Sequence, residues 1–314
     1  MKIVFMGTPG FAATILKGLA EGGHDIVAVY TQPDRPKGRS GKPVPSEVKE
    51  YALSMNLPVY QPERIKRPEE VELLKTFDAD VFVIAAYGQI LSQEILDIPK
   101  FASVNAHGSL LPKLRGASPI QRAIANGDSK TGITIMRMDA GIDTGDMMAK
   151  AEIDIEDTDD EASVYEKLAN VASDLLIDTL KDLEAGRATF TPQDESIATY
   201  APMLKKEEGL LDFSLDAWKL DCIVRGYKEW PTAYTYVDGK LLKIFGAKAR
   251  EDMADMSADD LEPGRFIVTK KQLFVTTGKG LLELLEVQPE GKKRMAAMDY
   301  ARGAHLTTGT KLNE

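Results

Sequence analysis

Strand-like and helix-like segments alternate from Lys2 to about residue 185, and no other feature limits the fold of this chain so strongly. A strand over Lys2–Met6, a turn over Gly7–Gly10 and an amphipathic helix that stops at Gly22 open the pattern. Such alternation is typical of a mostly parallel sheet covered by helices. We therefore predict an α/β domain here, with four further strands: Ile26–Tyr30, Val81–Ala86, Ala102–Ala106 and Ile133–Met138.

The pattern changes after residues 190–206, a segment that contains prolines but no sustained helical or strand periodicity. We interpret this segment as a linker between two domains, residues 1–189 and residues 207–314. The second domain is expected to contain one helix and then several short strands. Its Asp238-Gly239 dipeptide is typical of a two-residue hairpin turn. Short strands joined by tight turns favour a small β-barrel.

The composition is that of a folded protein from a reducing compartment. Of the 314 residues, 43% are hydrophobic and 28% are charged, which excludes wholesale disorder and coiled-coil or collagen-like architectures. The single cysteine excludes an intramolecular disulfide, and three histidines leave little material for a zinc site. No apolar run has the ~18 residues of a membrane span, and the N-terminus lacks a signal-peptide core. We therefore expect a cytoplasmic protein with no membrane contact.

The net charge of −10 argues against a protein that binds nucleic acid with its whole surface. The segment Thr31–Ser46 departs from this balance, and its glycines and prolines predict an irregular loop. A local basic patch can contact phosphates even in an acidic protein. The alternative is a solvated loop whose charges only keep it exposed. The segment contains one acidic residue, Asp34, and four basic residues: Arg35, Lys37, Arg39 and Lys42.

The first turn, Gly7–Gly10, invites comparison with a dinucleotide-binding turn. The G-x-G-x-x-G pattern uses its glycines for a tight turn, for close approach to a pyrophosphate and for helix packing. Here Pro9 and Ala12 occupy the second and third glycine positions, and no acidic residue ends the following strand. We predict a tight structural turn rather than a cofactor site.

The segment that follows the strand Ala102–Ala106 carries polar side chains at the end of a buried strand, where open α/β sheets place their ligands. Alternation along a strand puts Asn105 and His107 on the same side. An amide and an imidazole can therefore converge on one reacting centre. A structural histidine is the alternative, so this pair needs support from a second segment.

That support comes from the turn Met138–Asp146, which directly follows another predicted strand and carries three aspartates. A carboxylate near an imidazole can orient it and help to move protons. Aspartate and glycine are also the commonest turn residues, so a surface turn is the alternative. Spacing alone does not choose between Asp139, Asp143 and Asp146.

A series of segments stands out along the chain: MKIVFMGTPGFA, TQPDRPKGRSGK, AAYGQIL, NAHGSLLPKLRGASPIQRAI, TGITIMRMDAGIDTGDMM, KKEEGLLDFS, RGYKEWP and QPEGKKRMAAMD. Taken in this order and spacing, they resemble the methionyl-tRNA formyltransferase family. The resemblance covers essentially the whole chain. Its Asn-x-His and Asp set is shared with the wider formyltransferase superfamily, including glycinamide ribonucleotide formyltransferase, and only the basic loop and the second domain narrow the acceptor to a tRNA.

The resemblance implies a Rossmann-like formyltransferase domain over residues 1–189 that binds 10-formyltetrahydrofolate. An OB-like β-barrel domain over residues 207–314 would assist tRNA binding. Carried over residue by residue, the catalytic set falls on Asn105, His107 and Asp143. Asp139 and Asp146 are then left with turn-forming roles. The segment that matches the family's folate contacts is Ser109, Leu110, Leu111 and Pro112.

The implied reaction moves the formyl group of 10-formyltetrahydrofolate, used as a co-substrate, to the amine of methionyl-initiator tRNA. No metal and no obligate protein partner is implied. Arg39 matches the arginine that the family uses in the basic loop, and Lys37 and Lys42 flank it as further tRNA contacts. In this hypothesis Asn105 and protonated His107 stabilise the oxyanion that forms on the formyl group, while Asp143 orients His107 and assists proton transfer.

Three other functions remain open at this stage. A formyltransferase that acts on an amino sugar or another small amine would share the site but would not need the basic loop. A hydrolase or dehydrogenase fragment that consumes the same folate would share the two-domain layout. A non-catalytic RNA-binding protein with a degenerate α/β domain would bind charged tRNA without forming a product.

Overall fold

The computed structural model describes residues 1–36, 41–250 and 262–313. The chain divides into two compact units that do not follow the chain order strictly. The first comprises Met1–Pro119, Lys130–Asp154 and Val164–Ala201, and the second comprises Ile120–Ser129, Ile155–Ser163 and Pro202–Glu314. The domain boundaries expected from the sequence, after residues 189 and 206, stay a prediction.

The helices are α1 (Gly10–Glu21), α2 (Glu47–Ser54), α3 (Pro68–Thr76), α4 (Gln93–Leu96), α5 (Pro119–Asn126), α6 (Glu161–Glu184), α7 (Ala217–Gly226) and α8 (Ala297–Gly303). The strands are β1 (Lys2–Gly7), β2 (Asp25–Tyr30), β3 (Arg35–Pro36), β4 (Pro43–Val44), β5 (Val59–Tyr60), β6 (Val81–Ala85), β7 (Ala102–His107), β8 (Lys130–Arg137), β9 (Met147–Asp154), β10 (Ala233–Val237), β11 (Lys240–Arg250), β12 (Phe266–Val268), β13 (Leu273–Thr276), β14 (Leu281–Pro289) and β15 (Met295–Ala296). Among the described residues, no helix is long and apolar enough to cross a membrane.

The first unit is built on a sheet whose strand order is β5-β2-β1-β6-β7-β8-β9. The strands from β5 to β7 pair in parallel, whereas β7 with β8 and β8 with β9 pair antiparallel. Strand β6 is buried along its whole length, and β1 is buried except at Lys2. Burial on both faces is why these strands are continuous apolar runs in the sequence. The expectation of a mostly parallel sheet is confirmed.

The sequence patterns did not predict strand β9, and its position in the sheet explains why. This strand lies at the end of the strand order, where it pairs with β8, and its first residue, Met147, also forms an isolated bridge with Thr191. Its residues alternate between partly buried and exposed, and three of them are charged: Lys150, Glu152 and Asp154. Charged side chains protect an edge strand from pairing with another chain, and they also hide the strand from a search for apolar runs.

The second unit contains an antiparallel sheet with the order β10-β11-β14-β13-β12, and β15 pairs with β14. The sheet is curled into a half-barrel, as in an OB-like domain. The turn between β10 and β11 has positive φ at both central residues, +48° at Asp238 and +72° at Gly239, as expected of a primed hairpin turn. Apolar residues from this sheet and from α7 and α8 form one core, which includes Leu220, Ile244, Phe266, Leu273, Leu282 and Ala301.

Candidate active site

The end of strand β7 holds two of the candidate residues. Asn105 pairs with Ile84 of β6 and with Met136 of β8, while His107 pairs with Thr134 of β8. Both side chains are buried, with 8% of Asn105 and 6% of His107 exposed. Their two-residue separation places them on one side of the strand, as the sequence predicts.

The third candidate, Asp143, lies in the turn between β8 and β9 and faces the same place. Its carboxylate Oδ1 is 3.4 Å from Asn105 Nδ2, and its Oδ2 is 3.6 Å from His107 Nδ1. The backbone N–H of Gly116 donates a hydrogen bond of 2.8 Å to Oδ2. The structure therefore brings Asn105, His107 and Asp143 together from two segments of the chain.

The other ring nitrogen of His107 defines the proton position. His107 Nε2 is 3.0 Å from the carbonyl oxygen of Leu114. Because a carbonyl oxygen can only accept a hydrogen bond, Nε2 carries the proton and donates it. In the neutral imidazole, Nδ1 is then the unprotonated nitrogen and it faces the Asp143 carboxylate. In the imidazolium, Nδ1–H faces that carboxylate.

The remaining two aspartates of the turn have local partners. Asp139 accepts hydrogen bonds from the Gly141 N–H at 3.0 Å and from Thr144 Oγ1 at 2.7 Å. Asp146 pairs with Arg137 at 2.6 Å. The structure thus separates the three aspartates by their contacts, which spacing in the sequence did not do.

The segment with the predicted folate contacts directly follows His107. Ser109, Leu111 and Pro112 are buried, and Leu110 is partly exposed. Thr134 Oγ1 donates to the Ser109 carbonyl oxygen at 2.7 Å and accepts from the Leu111 N–H at 3.0 Å. Lys150 Nζ donates to the Leu111 carbonyl oxygen, and burial lowers the pKa of this lysine. Folate contact by Ser109, Leu110, Leu111 and Pro112 stays a prediction.

The predicted tRNA contacts fall partly outside the described residues. Lys37 and Arg39 lie there, whereas Lys42 is described and exposed. Strands β3 and β4, on either side of this segment, pair through Arg35 with Val44 and through Pro36 with Pro43. A role of Arg39, Lys37 and Lys42 in tRNA binding stays a prediction.

Sequence reasoning missed the groups that hold Asp143 and His107 in place. Leu114 and Gly116 contribute only backbone atoms, so their side chains carry no signal. Gln193 Nε2 donates to the carbonyl oxygens of Asp143 and Gly145, each at 2.8 Å. Gln193 lies in the predicted linker, where no periodicity drew attention to it. It is one of several polar residues in that segment, and no pattern in the sequence distinguishes it from the others.

The arrangement can stabilise negative charge and transfer a proton. The contacts of Asp143 with Asn105 and His107 are longer than the usual 2.7–3.2 Å of a hydrogen bond. The N–H groups of Asn105 and His107 can therefore donate hydrogen bonds to a substrate that binds beside Asp143. Among the described residues, no cluster of three or more His, Cys, Asp or Glu side chains could hold a metal ion.

Comparisons with known proteins agree along the chain. A family model described as "Formyl transferase" matches residues 1–180, and one described as "Formyl transferase, C-terminal domain" matches residues 203–305. The chain is 43% identical to a methionyl-tRNA formyltransferase of Agathobacter rectalis over 99% of both chains. It is 46% identical to a methionyl-tRNA formyltransferase of Solibacter usitatus, over 100% of this chain and 99% of the relative.

A solved structure shows a similar fold at much lower sequence identity. It is the N-formyltransferase of Helicobacter canadensis, in complex with folinic acid and dTDP-3-aminofucose. The TM-score is 0.65 and the identity is 16%, over 92% of this chain and 99% of that chain. This likeness supports the fold alone.

Proposed function

Because the chain belongs to the methionyl-tRNA formyltransferase family, we propose that Asn105, His107 and Asp143 carry out the transfer of a formyl group to methionyl-tRNA. The observation that supports these roles is the convergence of the three side chains. The Asp143 carboxylate of the β8–β9 turn lies 3.4 Å from the Asn105 amide and 3.6 Å from the His107 imidazole, both of which β7 supplies.

The formyl donor in this assignment is a folate, and we propose 10-formyltetrahydrofolate. The amine of the methionyl ester attacks the formyl carbon, a new C–N bond forms, and the bond between that carbon and the folate nitrogen breaks. The proton that leaves the amine balances the one that the folate nitrogen gains. Donors held in advance toward a developing oxyanion are commonly worth about 10² to 10³ in rate each.

Asn105 and His107 are the two donors available to that oxyanion. The Asn105 amide has a second N–H besides the one that faces Asp143. In the imidazolium, His107 also carries an N–H on Nδ1, 3.6 Å from Asp143 Oδ2, whereas its Nε2–H already donates to the Leu114 carbonyl. Asp143 faces His107 Nδ1 and can accept the proton of the attacking amine before it passes to the folate nitrogen. The Leu114 carbonyl fixes the ring orientation through Nε2.

The binding roles follow from the same assignment. We propose that residues 1–189 bind the folate, in part through Ser109, Leu110, Leu111 and Pro112. We also propose that residues 207–314 assist in binding initiator tRNA, beyond a linker at residues 190–206. A cytoplasmic location is part of this proposal, since the reaction supplies translation initiation.

The basic loop provides a prediction for tRNA recognition. We expect Arg39→Ala to raise the KM for methionyl-tRNA roughly tenfold at low salt, because a charge-assisted contact to phosphate is lost. The KM for the folate donor should stay near the wild-type value. The slope of log binding constant against log salt concentration should also decrease by about 1, because one fewer counterion is released on binding. Steady-state kinetics at several salt concentrations measure all three quantities.

The matched control for Arg39→Ala removes an exposed arginine elsewhere. Arg64 is exposed and lies outside the basic segment. Arg64→Ala should leave both KM values unchanged. Unchanged tRNA kinetics in Arg39→Ala would remove Arg39 from the recognition site.

The experiment that tests the function compares acceptors. Purified protein is incubated with 10-formyltetrahydrofolate and one of three amines: initiator methionyl-tRNA, free methionine or an amino-sugar nucleotide. Transfer to the charged tRNA alone is the expected result. Transfer only to the small amines would keep the site but change the substrate, and binding of charged tRNA without any transfer would favour the RNA-binding alternative.

A further inference from the structure

Gln193 is tied to the turn that carries Asp143, although it touches neither Asn105 nor His107. Its side-chain amide donates one hydrogen bond to the carbonyl of Asp143 and one to the carbonyl of Gly145, each at 2.8 Å. The two carbonyls lie on either side of Thr144. One side chain therefore bridges the backbone of Asp143 and Gly145 across Thr144.

The turn needs such support because its backbone is unusual. Asp143 has a φ of +52°, a conformation in which a side chain other than glycine is uncommon. At Gly145, an added Cβ would lie 1.8 Å from the carbonyl oxygen of Arg137, so the chain passes too close for any side chain. Hydrogen bonds to the carbonyls at both positions restrict the turn to this conformation.

The amide of Gln193 is held at its other end by a buried arginine. Gln193 Oε1 accepts a hydrogen bond of 3.0 Å from Arg115 Nε. Arg115 is fully buried, and its two terminal nitrogens bind the Glu195 carboxylate at 3.0 and 2.7 Å. Because the guanidinium can only donate, it fixes which end of the Gln193 amide faces the turn.

Two hydrogen bonds therefore fix the position of Asp143, one to its side chain and one to its backbone. The residue after Arg115, Gly116, donates its N–H to Asp143 Oδ2, while Gln193 holds the backbone of Asp143. Glutamine is the residue that fits here, because it combines an acceptor for Arg115 with two donors for the carbonyls. A glutamate would place a carboxylate against two carbonyl oxygens.

We propose that Gln193 is a positioning residue for formyl transfer, which fixes Asp143 at the distance it needs from Asn105 and His107. This inference rests on the proposed function for its kinetic test. Small displacements of a catalytic group are costly, since a shift of ~1 Å can lower a rate by about 10²-fold.

The test uses Gln193→Met, which keeps the length of the side chain and removes its hydrogen bonds. We expect kcat to fall roughly 10- to 100-fold, with smaller changes in the KM for tRNA and for folate. The matched control is Gln288→Met, because Gln288 Nε2 also donates to a backbone carbonyl, that of Lys292, at 2.8 Å. Gln288→Met should retain the wild-type kcat.

A double-mutant cycle separates positioning from a general structural effect. If Gln193 acts through Asp143, Gln193→Met should cost less than about threefold in an Asp143→Asn background. Losses that multiply in the double variant would overturn the proposal, and so would a near-wild-type kcat in folded Gln193→Met. Gln193→Glu offers a second variant. It should have a lower kcat than wild type, because its carboxylate would face the carbonyl oxygens of Asp143 and Gly145.

A geometric measurement keeps this inference apart from the proposed function. In a crystal structure of Gln193→Met, the Asp143 carboxylate should move away from the Gly116 N–H, which it accepts at 2.8 Å in the wild type. An unchanged turn would overturn the inference whatever the enzyme does. Absence of formyl transfer by the wild-type protein would instead overturn the proposed function.

Discussion

Two partly buried polar clusters, one in each unit, each contain a carboxylate but hold it differently. In the first unit, Asp143 faces Asn105 and His107 at 3.4 and 3.6 Å. In the second unit, Arg122 binds both oxygens of Glu208, at 2.6 and 3.1 Å, and also contacts the Tyr227 hydroxyl at 3.2 Å. The first cluster is loose and the second is tight.

The difference indicates what each cluster is for. A guanidinium and a carboxylate that meet in a two-pronged pair use their facing donors and acceptors on each other, as the terminal nitrogens of Arg122 do here, although Arg122 Nε has no partner among the described residues. The long contacts around Asp143 leave donors unsatisfied, and these can serve a substrate. In the first cluster, Gly116 and Gln193 hold Asp143 in place, while its contacts with Asn105 and His107 stay long enough to admit a substrate.

The largest expected effect tests the loose cluster. Asp143→Asn keeps the shape of the side chain but removes its charge, so it should lower kcat roughly 10²- to 10⁴-fold through loss of proton transfer. The free energy of unfolding and the affinity for folate should change little. Steady-state kinetics, folate titration and urea denaturation measure the three quantities.

The control for Asp143→Asn is another aspartate of the same turn. Asp139 binds only the Gly141 N–H and Thr144 Oγ1 within the turn. An asparagine there retains an acceptor oxygen, so kcat should stay within about threefold of the wild type. If Asp139→Asn and Asp143→Asn were equally slow, the contacts would not distinguish a reactive aspartate from a structural one.

A smaller effect is expected at the tight cluster, and on stability rather than rate. Arg122→Met removes the pair with Glu208 and the contact with Tyr227, so it should lower the free energy of unfolding by about 1.5–3 kcal/mol. The exposed pair of Arg187 with Asp182, at 2.8 Å, supplies the control. Arg187→Met should change the free energy by less than about 1 kcal/mol. Urea denaturation of both variants compares them, and equal losses would mean that burial adds nothing.

The sequence predicted the strands whose patterns are local. Strands β1 and β6 are apolar runs because they are buried, and the hairpin at Asp238 and Gly239 is encoded in two adjacent residues. Strand β9 could not be found in this way, because an edge strand needs charge more than it needs hydrophobic residues. Elements that a short sequence pattern encodes can therefore be predicted, whereas a strand that forms because a neighbouring strand is present cannot.

The same limit applies to the candidate site. The two-residue spacing placed Asn105 and His107 on one side of a strand, and the structure has them there. Three aspartates in one turn were equivalent by spacing, and only the family resemblance selected Asp143. Its distinguishing contacts come from Gly116 and Gln193, which are 27 and 50 residues away in the chain. Contacts across such separations depend on how the chain folds back, and no short motif contains them.

The smallest expected effect concerns the pH dependence of the tight cluster. The hydrogen bond from Arg122 lowers the pKa of the Glu208 carboxyl below its ordinary value of 4.5. A carboxyl whose pKa is lower in the folded protein stabilises the fold fully above its unfolded pKa, and this stabilisation is lost as pH falls through the folded pKa. Wild-type protein should therefore lose stability below about pH 4.5 in part because Glu208 becomes protonated.

Glu208→Gln removes that carboxyl, so its deficit in unfolding free energy should be largest near neutral pH and should shrink as pH falls below 4.5. Urea denaturation at a series of pH values measures the deficit, with Glu207→Gln as the control because it removes the same charge from an exposed side chain one residue earlier. A deficit that stays constant from neutral to acidic pH would mean that the two-pronged pair does not hold Glu208 in its charged form, and the contrast between the two clusters would then rest on geometry alone.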